Sequence, residues 1–262
     1  MPWAAVEDTS IYYQARGKGP ALVFAHGAGG NHLSWWQQVP YFAQRYRCVT
    51  FDHRAFGRTR NPPEGPGRRA FAEDLRQLLD HLGIETVALV AQSMGGRTAV
   101  GFAYRYPERI RALVLAGTTG GAVDDRLRDA QDEHRRTPIG RHTLAQRAVS
   151  PRLRREQPHL AYLYRLIGNL NPSRPKDFLA PVPNYRGSSA QLLSDLGVPV
   201  LFLVGDEDTI TPPHVVRMAH ENVAGSQFDV IEHAGHSAYF ERADAFNERV
   251  DRFLREAGWS SE

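Results

Sequence analysis

The chain has 262 residues, 42% of them hydrophobic and 23% charged, the balance of a globular protein that buries a full core in one α/β domain. A formal net charge of +3, with no nucleic-acid-binding motif beside the local arginine excess of Arg126–Arg155, excludes a nucleic-acid partner. No apolar run nears the roughly 20 residues that span a bilayer, and residues Met1–Thr9 carry no basic-then-apolar leader. The single cysteine, Cys48, allows no internal disulfide, so the expectation is a cytoplasmic protein with no membrane partner.

In chain order, Ala4–Gln14 reads as two short strands around a turn at Glu7–Ser10. A turn at Gly17–Pro20 leads to Ala21–Ala25, a wholly apolar strand of the kind buried on both faces of a parallel sheet. It ends in His26-Gly27-Ala28-Gly29-Gly30. Ser34–Tyr46 is expected to be helical despite Pro40, and Arg47–Phe51 is the next strand. Cys48, inside that apolar run, is expected to be a small core residue. Asp52–Gly67 is a loop rich in Gly, Pro and Arg. Ala72, Leu75, Leu78, Leu79 and Leu82 recur at spacings of three and four, which predicts a helix over Ala70–Leu82 that Gly83 ends.

A strand over Val87–Ala91 then meets Ser93 and a helix running toward Tyr106, and Arg111–Ala116 is another strand. Strict alternation of strand and helix implies a parallel sheet with right-handed crossovers. The alternation breaks at Gly120-Gly121. From Ala122 to Ser189 the pattern is polar, arginine-rich, helical and divided by prolines at 138, 151, 158, 172, 175, 181 and 183. Strands resume at Val198–Val204 and Phe228–Ile231, and a helix at Ala243–Glu256 closes the chain. The expected organisation is a core of residues 1–120 and 190–262 with a helical cap, 121–189, over the carboxyl ends of the strands. Ligands of open α/β sheets bind at that edge.

The chemistry follows from the strand ends. A strand that turns into a helix within a few residues leaves its turn residue exposed beside free backbone donors, and here that residue is Ser93. A serine hydroxyl is a poor nucleophile until a base takes its proton and a third group orients the base. Gly205-Asp206-Glu207-Asp208-Thr209-Ile210-Thr211-Pro212 follows one later strand, and Glu232-His233-Ala234-Gly235-His236-Ser237 follows the last. The order serine, acid, histidine is that of a hydrolytic triad on this architecture. A phosphate-cradling role for His26–Gly30 is disfavoured, because the segment lacks both the Lys-Ser/Thr ending and the dinucleotide spacing.

With these motifs the sequence resembles, over nearly its whole length, the α/β-hydrolase-fold enzymes that carry a cap. The resemblance implies an eight-stranded, mainly parallel sheet flanked by helices, with the cap inserted after the sixth strand. It implies Ser93 as nucleophile. Asp208 is the acid of a Gly-x-x-Asp-x-hydrophobic-x-Pro pattern (Gly205, Asp208, Ile210, Pro212), in preference to Asp206. His236 is the base of a Gly-His pair, in preference to His233. It further implies the backbone N–H groups of Ala28 and Met94 as oxyanion donors, with His26 an architectural residue of that loop. Two positions depart from the family pattern. Ala91 stands where the elbow's first glycine is expected. In Asp52-His53-Arg54-Ala55-Phe56-Gly57-Arg58-Thr59, Ala55 and Thr59 replace Gly and Ser in a loop to which no catalytic role is assigned.

The leading expectation is a serine hydrolase that cleaves a carboxylic ester or lactone through an acyl-enzyme, using no cofactor and no metal. A carbon–carbon bond hydrolase of a diketone-like substrate, with the same triad, is the alternative. A ligand-binding or signalling protein on the same fold is a third reading, which the complete triad disfavours. The substrate is expected to be a small, largely apolar molecule. Trp35, beside Trp36 after the oxyanion loop, and the aromatics Tyr162, Tyr164, Phe178 and Tyr185 are the candidate contacts, and Arg97 is expected on the solvated side of its helix. The chain is expected to be a monomer or homodimer.

Overall fold

Eight strands build the sheet: β1 (Trp3–Val6), β2 (Thr9–Arg16), β3 (Ala21–Ala25), β4 (Arg47–Phe51), β5 (Val87–Gln92), β6 (Ile110–Ala116), β7 (Val200–Gly205) and β8 (Gln227–Ile231). Their order across it is β1-β2-β4-β3-β5-β6-β7-β8, with β1 and β2 antiparallel to their neighbours and the rest parallel. The structure is a computed structural model that describes residues 2–136, 143–180 and 190–260; Pro138, Pro181, Pro183 and Tyr185 lie outside the described residues. Every residue of β3, β5 and β7 is buried, as the unbroken apolar runs require of strands covered on both faces. β5 lies between β3 and β6, so its carboxyl end is central in the sheet.

The helices before the sixth strand follow the sequence pattern with one exception. α1 is confined to Gln38–Phe42 and is preceded by a 3-10 turn over His32–Trp35, where a single helix over Ser34–Tyr46 was expected. Pro40 explains the break. Lacking an N–H, it fits only a helix's first turn, so the helix must begin just before it. α2 (Phe71–His81) turns Leu75, Leu78 and Leu79 fully inward, each contributing about 1.5–3 kcal/mol by the usual measure of buried apolar area. Gly83, at φ +63°, ends it in the left-handed conformation that glycine adopts without strain. α3 (Met94–Arg105) follows β5 directly.

Between β6 and β7 the described residues form helices α4 (Asp125–Arg136), α5 (Leu144–Arg147), α6 (Pro151–Glu156) and α7 (Pro158–Asn169), followed by α8 (Ala190–Asp195). The insertion touches loops at the carboxyl ends of four strands. His134 Nε2 donates to the Thr209 carbonyl after β7, the Ser150 N–H donates to Glu241 after β8, and Asn171 and Arg174 reach the loops after β3 and β4. α9 (Pro213–Glu221), α10 (Ala238–Glu241) and α11 (Ala243–Glu256) complete the chain. Buried apolar side chains fill both faces of the sheet, one cluster under α2, α3 and α9 and the other under α1, α10 and α11. Cys48 belongs to the second, and burial pushes its thiol up to about 12. Among the described residues, no helix is long and apolar enough to cross a membrane.

Candidate active site

Ser93 stands between the end of β5 and the first residue of α3, with φ 51° and ψ −111°. A non-glycine residue with positive φ is strained, and strain of this kind persists only where the surroundings enforce it. Here the surroundings are two close approaches. A Cβ on Gly95 would lie 2.2 Å from the Ala25 carbonyl oxygen, and one on Gly27 would lie 1.9 Å from Gln92 Oε1. The loop after β3 and the start of α3 are therefore pressed together around Ser93. Ala91 is fully buried in the sheet, paired with Ala25 and Leu115, and its extra methyl is absorbed by the core two residues before Ser93.

The loops after β7 and β8 bring Asp208 and His236 together. His236 Nδ1 donates to Asp208 Oδ2 over 2.8 Å, and both side chains are buried. The other carboxylate oxygen of Asp208 accepts the backbone N–H groups of Ile210 and Thr211 at 2.8 and 2.9 Å. Three donors thus hold the acid in one orientation, and in the neutral ring the Nδ1–H bond to Asp208 makes Nε2 the acceptor. The neighbouring candidates sit elsewhere. Asp206 is exposed and accepts the Ala234 N–H at 3.0 Å, bracing the histidine loop, while His233 is exposed at φ 59°.

His236 lies against the ends of two strands, β5 and β6. The Gln92 amide donates to the His236 carbonyl at 3.2 Å, and a Cβ on Gly117, after β6, would lie 3.2 Å from His236 Nδ1. None of the described hydrogen bonds joins Ser93 Oγ to His236 Nε2. Such catalytic contacts are commonly long in unliganded enzymes and tighten with substrate.

Met94 directly follows Ser93, and it and Ala28 are both half-buried. Met94 opens α3, where the first N–H groups have no intrahelical acceptor and a developing negative charge is favoured. Ala28 follows Gly27, on which an added Cβ would lie 3.2 Å from Ser93 Cβ. His26 supports this loop from beneath. Its Nε2 accepts the His53 backbone N–H at 3.1 Å, so its proton is on Nδ1, which donates to the Gly27 carbonyl at 2.8 Å. His53 continues the chain to Thr98 Oγ1 on α3 at 2.9 Å. Burial lowers His26 to about 4 and His53 well below its ordinary value, so both rings are neutral near pH 7.

The loop after β4 is architectural. Asp52 accepts the His32 and Arg58 N–H groups at 2.7 and 2.8 Å, and Arg54 is buried between Asp8 and Asp74. Thr59 Oγ1 accepts the Tyr12 N–H at 2.9 Å, and Ala55 takes φ 66° in the position where glycine was expected.

Trp35 requires a correction. It is fully buried, its ring 5.1 Å from Phe24 and 4.6 Å from Tyr239, so it packs the core and offers no face to a substrate. Tyr162 is exposed beneath Arg165, and Phe178 packs on Phe56 and Phe71. Arg97 is half-buried and lines a small cleft with Met94 and Thr98. Tyr164 does reach the site's edge, its hydroxyl 2.9 Å from Ser237 Oγ, beside His236.

Glu241 was not foreseen. Its buried carboxylate accepts the N–H groups of Gly235 and Ser150 at 3.0 and 3.1 Å, joining the histidine loop to α6, and burial raises it to about 7. A charged residue in an amphipathic stretch gives no sequence signal of such a position. Among the described residues, no cluster of three His, Cys, Asp or Glu groups is arranged to hold a metal.

A model of the alpha/beta hydrolase fold family matches residues 20–243. The 3-oxoadipate enol-lactonase 2 of Acinetobacter baylyi is 27% identical over 257 residues, which is 95% of this chain and 94% of that one. A 2-hydroxy-6-oxononadienedioate/2-hydroxy-6-oxononatrienedioate hydrolase of Burkholderia vietnamiensis is 30% identical, covering 95% and 93%. Among solved structures, a thermophilic esterase from Thermogutta terrifontis superposes with a TM-score of 0.79 at 26% identity, covering 97% of each chain.

Proposed function

The chain belongs to the alpha/beta hydrolase fold family and is a hydrolase, and from that premise we propose that it cleaves a carboxylic ester or lactone through an acyl-enzyme on Ser93. Ser93 Oγ attacks the carbonyl carbon while His236 Nε2 takes its proton, and Asp208 stabilises the imidazolium that results. The carbonyl oxygen becomes an oxyanion that receives the N–H groups of Ala28 and Met94, an interaction worth several kcal/mol because it strengthens as charge develops. Collapse of the tetrahedral intermediate breaks the carbon–oxygen bond, and the leaving alkoxide takes the proton from His236. Water, activated by the same histidine, then attacks the acyl-enzyme and releases the acid.

The observation that carries this reading is the Asp208–His236 hydrogen bond of 2.8 Å, buried at the sheet edge where the strained Ser93 turn also lies. Labelling by a fluorophosphonate probe tests it. The wild-type protein is expected to be labelled and Ser93→Ala is not; labelling that survives the substitution, or none in wild type, overturns the mechanism.

A second reading is favoured by the 30% identity to the Burkholderia hydrolase, whose named substrate carries a ketone in place of an ester. The same triad would then release a carbon leaving group. Turnover of a vinylogous diketone, with inertness toward aryl esters, selects that reading.

A further inference from the structure

Arg174 follows α7 and occupies the space between the insertion and the strand-end loops. Its guanidinium carbon is 3.9 Å from the centre of the Phe56 ring. Nη1 donates to the Ala55 carbonyl at 3.1 Å and Nη2 to the Ala28 carbonyl at 3.4 Å. The side chain is half-buried, and among the described residues no carboxylate pairs with it. Two other arginines withdrawn from water are matched with acids, Arg54 with Asp8 and Asp74 at 2.8 and 2.6 Å and Arg109 with Asp80 at 2.6 Å, whereas half-buried Arg147 reaches the Thr209 carbonyl. Two carbonyls and a ring face leave part of Arg174's five-donor fork unfilled.

A cation taken partly out of water without an anion is unfavourable, and here burial draws the guanidinium below its ordinary pKa. Such a group reaches its favourable state when an anion arrives from outside, and a carboxylate fits the fork bidentately. The Ala28 carbonyl contact places the guanidinium itself beside the loop that carries a proposed oxyanion donor. We propose that Arg174 is a specificity-determining residue that binds a carboxylate carried by the substrate, so that the preferred ester or lactone also bears an acid group. This proposal rests on the hydrolase reading of Ser93, Asp208 and His236.

The test compares mono-4-nitrophenyl adipate with neutral 4-nitrophenyl pentanoate in the wild-type protein, Arg174→Gln and Arg174→Lys. Losing a charge-assisted pair is expected to lower kcat/KM for the acid ester by about 10- to 100-fold, mostly through KM, while the neutral ester changes by less than about threefold. The lysine variant is expected to recover part of the loss, and added salt to weaken the preference. Equal losses on both esters would make Arg174 a clamp between insertion and loop, and an unchanged acid ester would remove any role; either overturns the proposal. Failure of the hydrolase reading looks different, because then neither ester shows Ser93-dependent turnover in the wild-type protein. Calorimetric binding of glutarate to Ser93→Ala then decides the matter without turnover. Binding lost in the Ser93→Ala, Arg174→Gln double variant supports the site, and no binding, or binding that persists there, overturns it.

Discussion

Asn31 and Ile167 are joined by a 2.8 Å hydrogen bond from the buried side-chain amide of one to the backbone carbonyl of the other. Ile167 lies in the last turn of α7, where its carbonyl also accepts the Leu170 N–H at 3.2 Å, and Asn31 adds a second donor from outside the helix. The same side chain accepts the Leu33 N–H at 3.0 Å and so caps the 3-10 turn that follows the His26–Gly30 loop. One residue thus ends the loop that carries Ala28 and fastens it to the insertion. Asn31→Ser keeps a capping oxygen but is too short to reach Ile167. Since displacements near 1 Å at a reacting centre cost up to about 100-fold, kcat for an aryl ester is expected to fall about 10- to 100-fold with KM within about threefold. Loss of the neutral hydrogen bond should lower Tm by only about 2–4 °C. A wild-type kcat with lowered Tm would reduce the link to a structural one.

Asp206 and Asp208 make the sharpest comparison within the acid loop. Asp208 accepts from His236, Ile210 and Thr211, whereas Asp206 braces the Ala234 N–H. Asp208→Asn preserves shape but removes the charge that faces the imidazolium and favours the wrong tautomer, so kcat should fall by about 10,000-fold. Asp206→Asn retains an oxygen for Ala234 and should stay within about threefold of wild type. Steady-state ester hydrolysis by the two variants checks the assignment, and a larger loss at position 206 would reverse it.

The buried His26–His53–Thr98 chain makes stability depend on pH. Both histidines are held below their ordinary value of 6.5, His26 at about 4, by removal from water. The unfolded chain therefore binds more protons than the folded one between these values. Stability is full above about pH 6.5 and is lost as pH falls toward 4, with His26 alone accounting for about 3 kcal/mol. Glu241 acts in the opposite sense. Raised from 4.5 to about 7, it favours the fold at low pH and loses that advantage as pH rises through 7. Urea midpoints from pH 4 to 8 should show the histidine decline, and Glu241→Gln should steepen it by removing the opposing titration. A flat profile from pH 6.5 to 4 in that variant would contradict the neutral histidine pair.

The parts of this molecule legible in its sequence are those set by local pattern. Apolar runs marked the central parallel strands because burial on both faces favours apolar side chains. The distance from Asp208 to Pro212 separated it from Asp206, since the turn between them is a local structure. What stayed hidden depends on remote partners. The roles of Asn31 and Arg174 are set by groups 136 and 146 residues away, and no window of sequence contains both members of either pair. Trp35 failed for a related reason. A large aromatic beside a catalytic loop has the same local signature whether it lines a pocket or fills a core, and only the position of Tyr239 decided it.

Ser93 itself offers a test in which stability and function oppose each other. Its φ of 51° and ψ of −111° are unfavourable for any side chain, and the alanine variant inherits the strain because its Cβ remains. Glycine relieves it. Strain of this kind is worth about 1–3 kcal/mol, against which glycine's greater freedom in the unfolded chain costs about 0.5–1 kcal/mol. Ser93→Gly is therefore expected to be about 1–2 kcal/mol more stable than Ser93→Ala by chemical denaturation. Both variants should lack hydrolase activity, so the difference reports the backbone alone. Gly27 and Gly95 are the residues that enforce the turn, and neither is altered, so the elbow keeps its close contacts with Gln92 and the Ala25 carbonyl. Equal stabilities would mean that the surrounding contacts, rather than the residue at position 93, set the conformational energy of the turn.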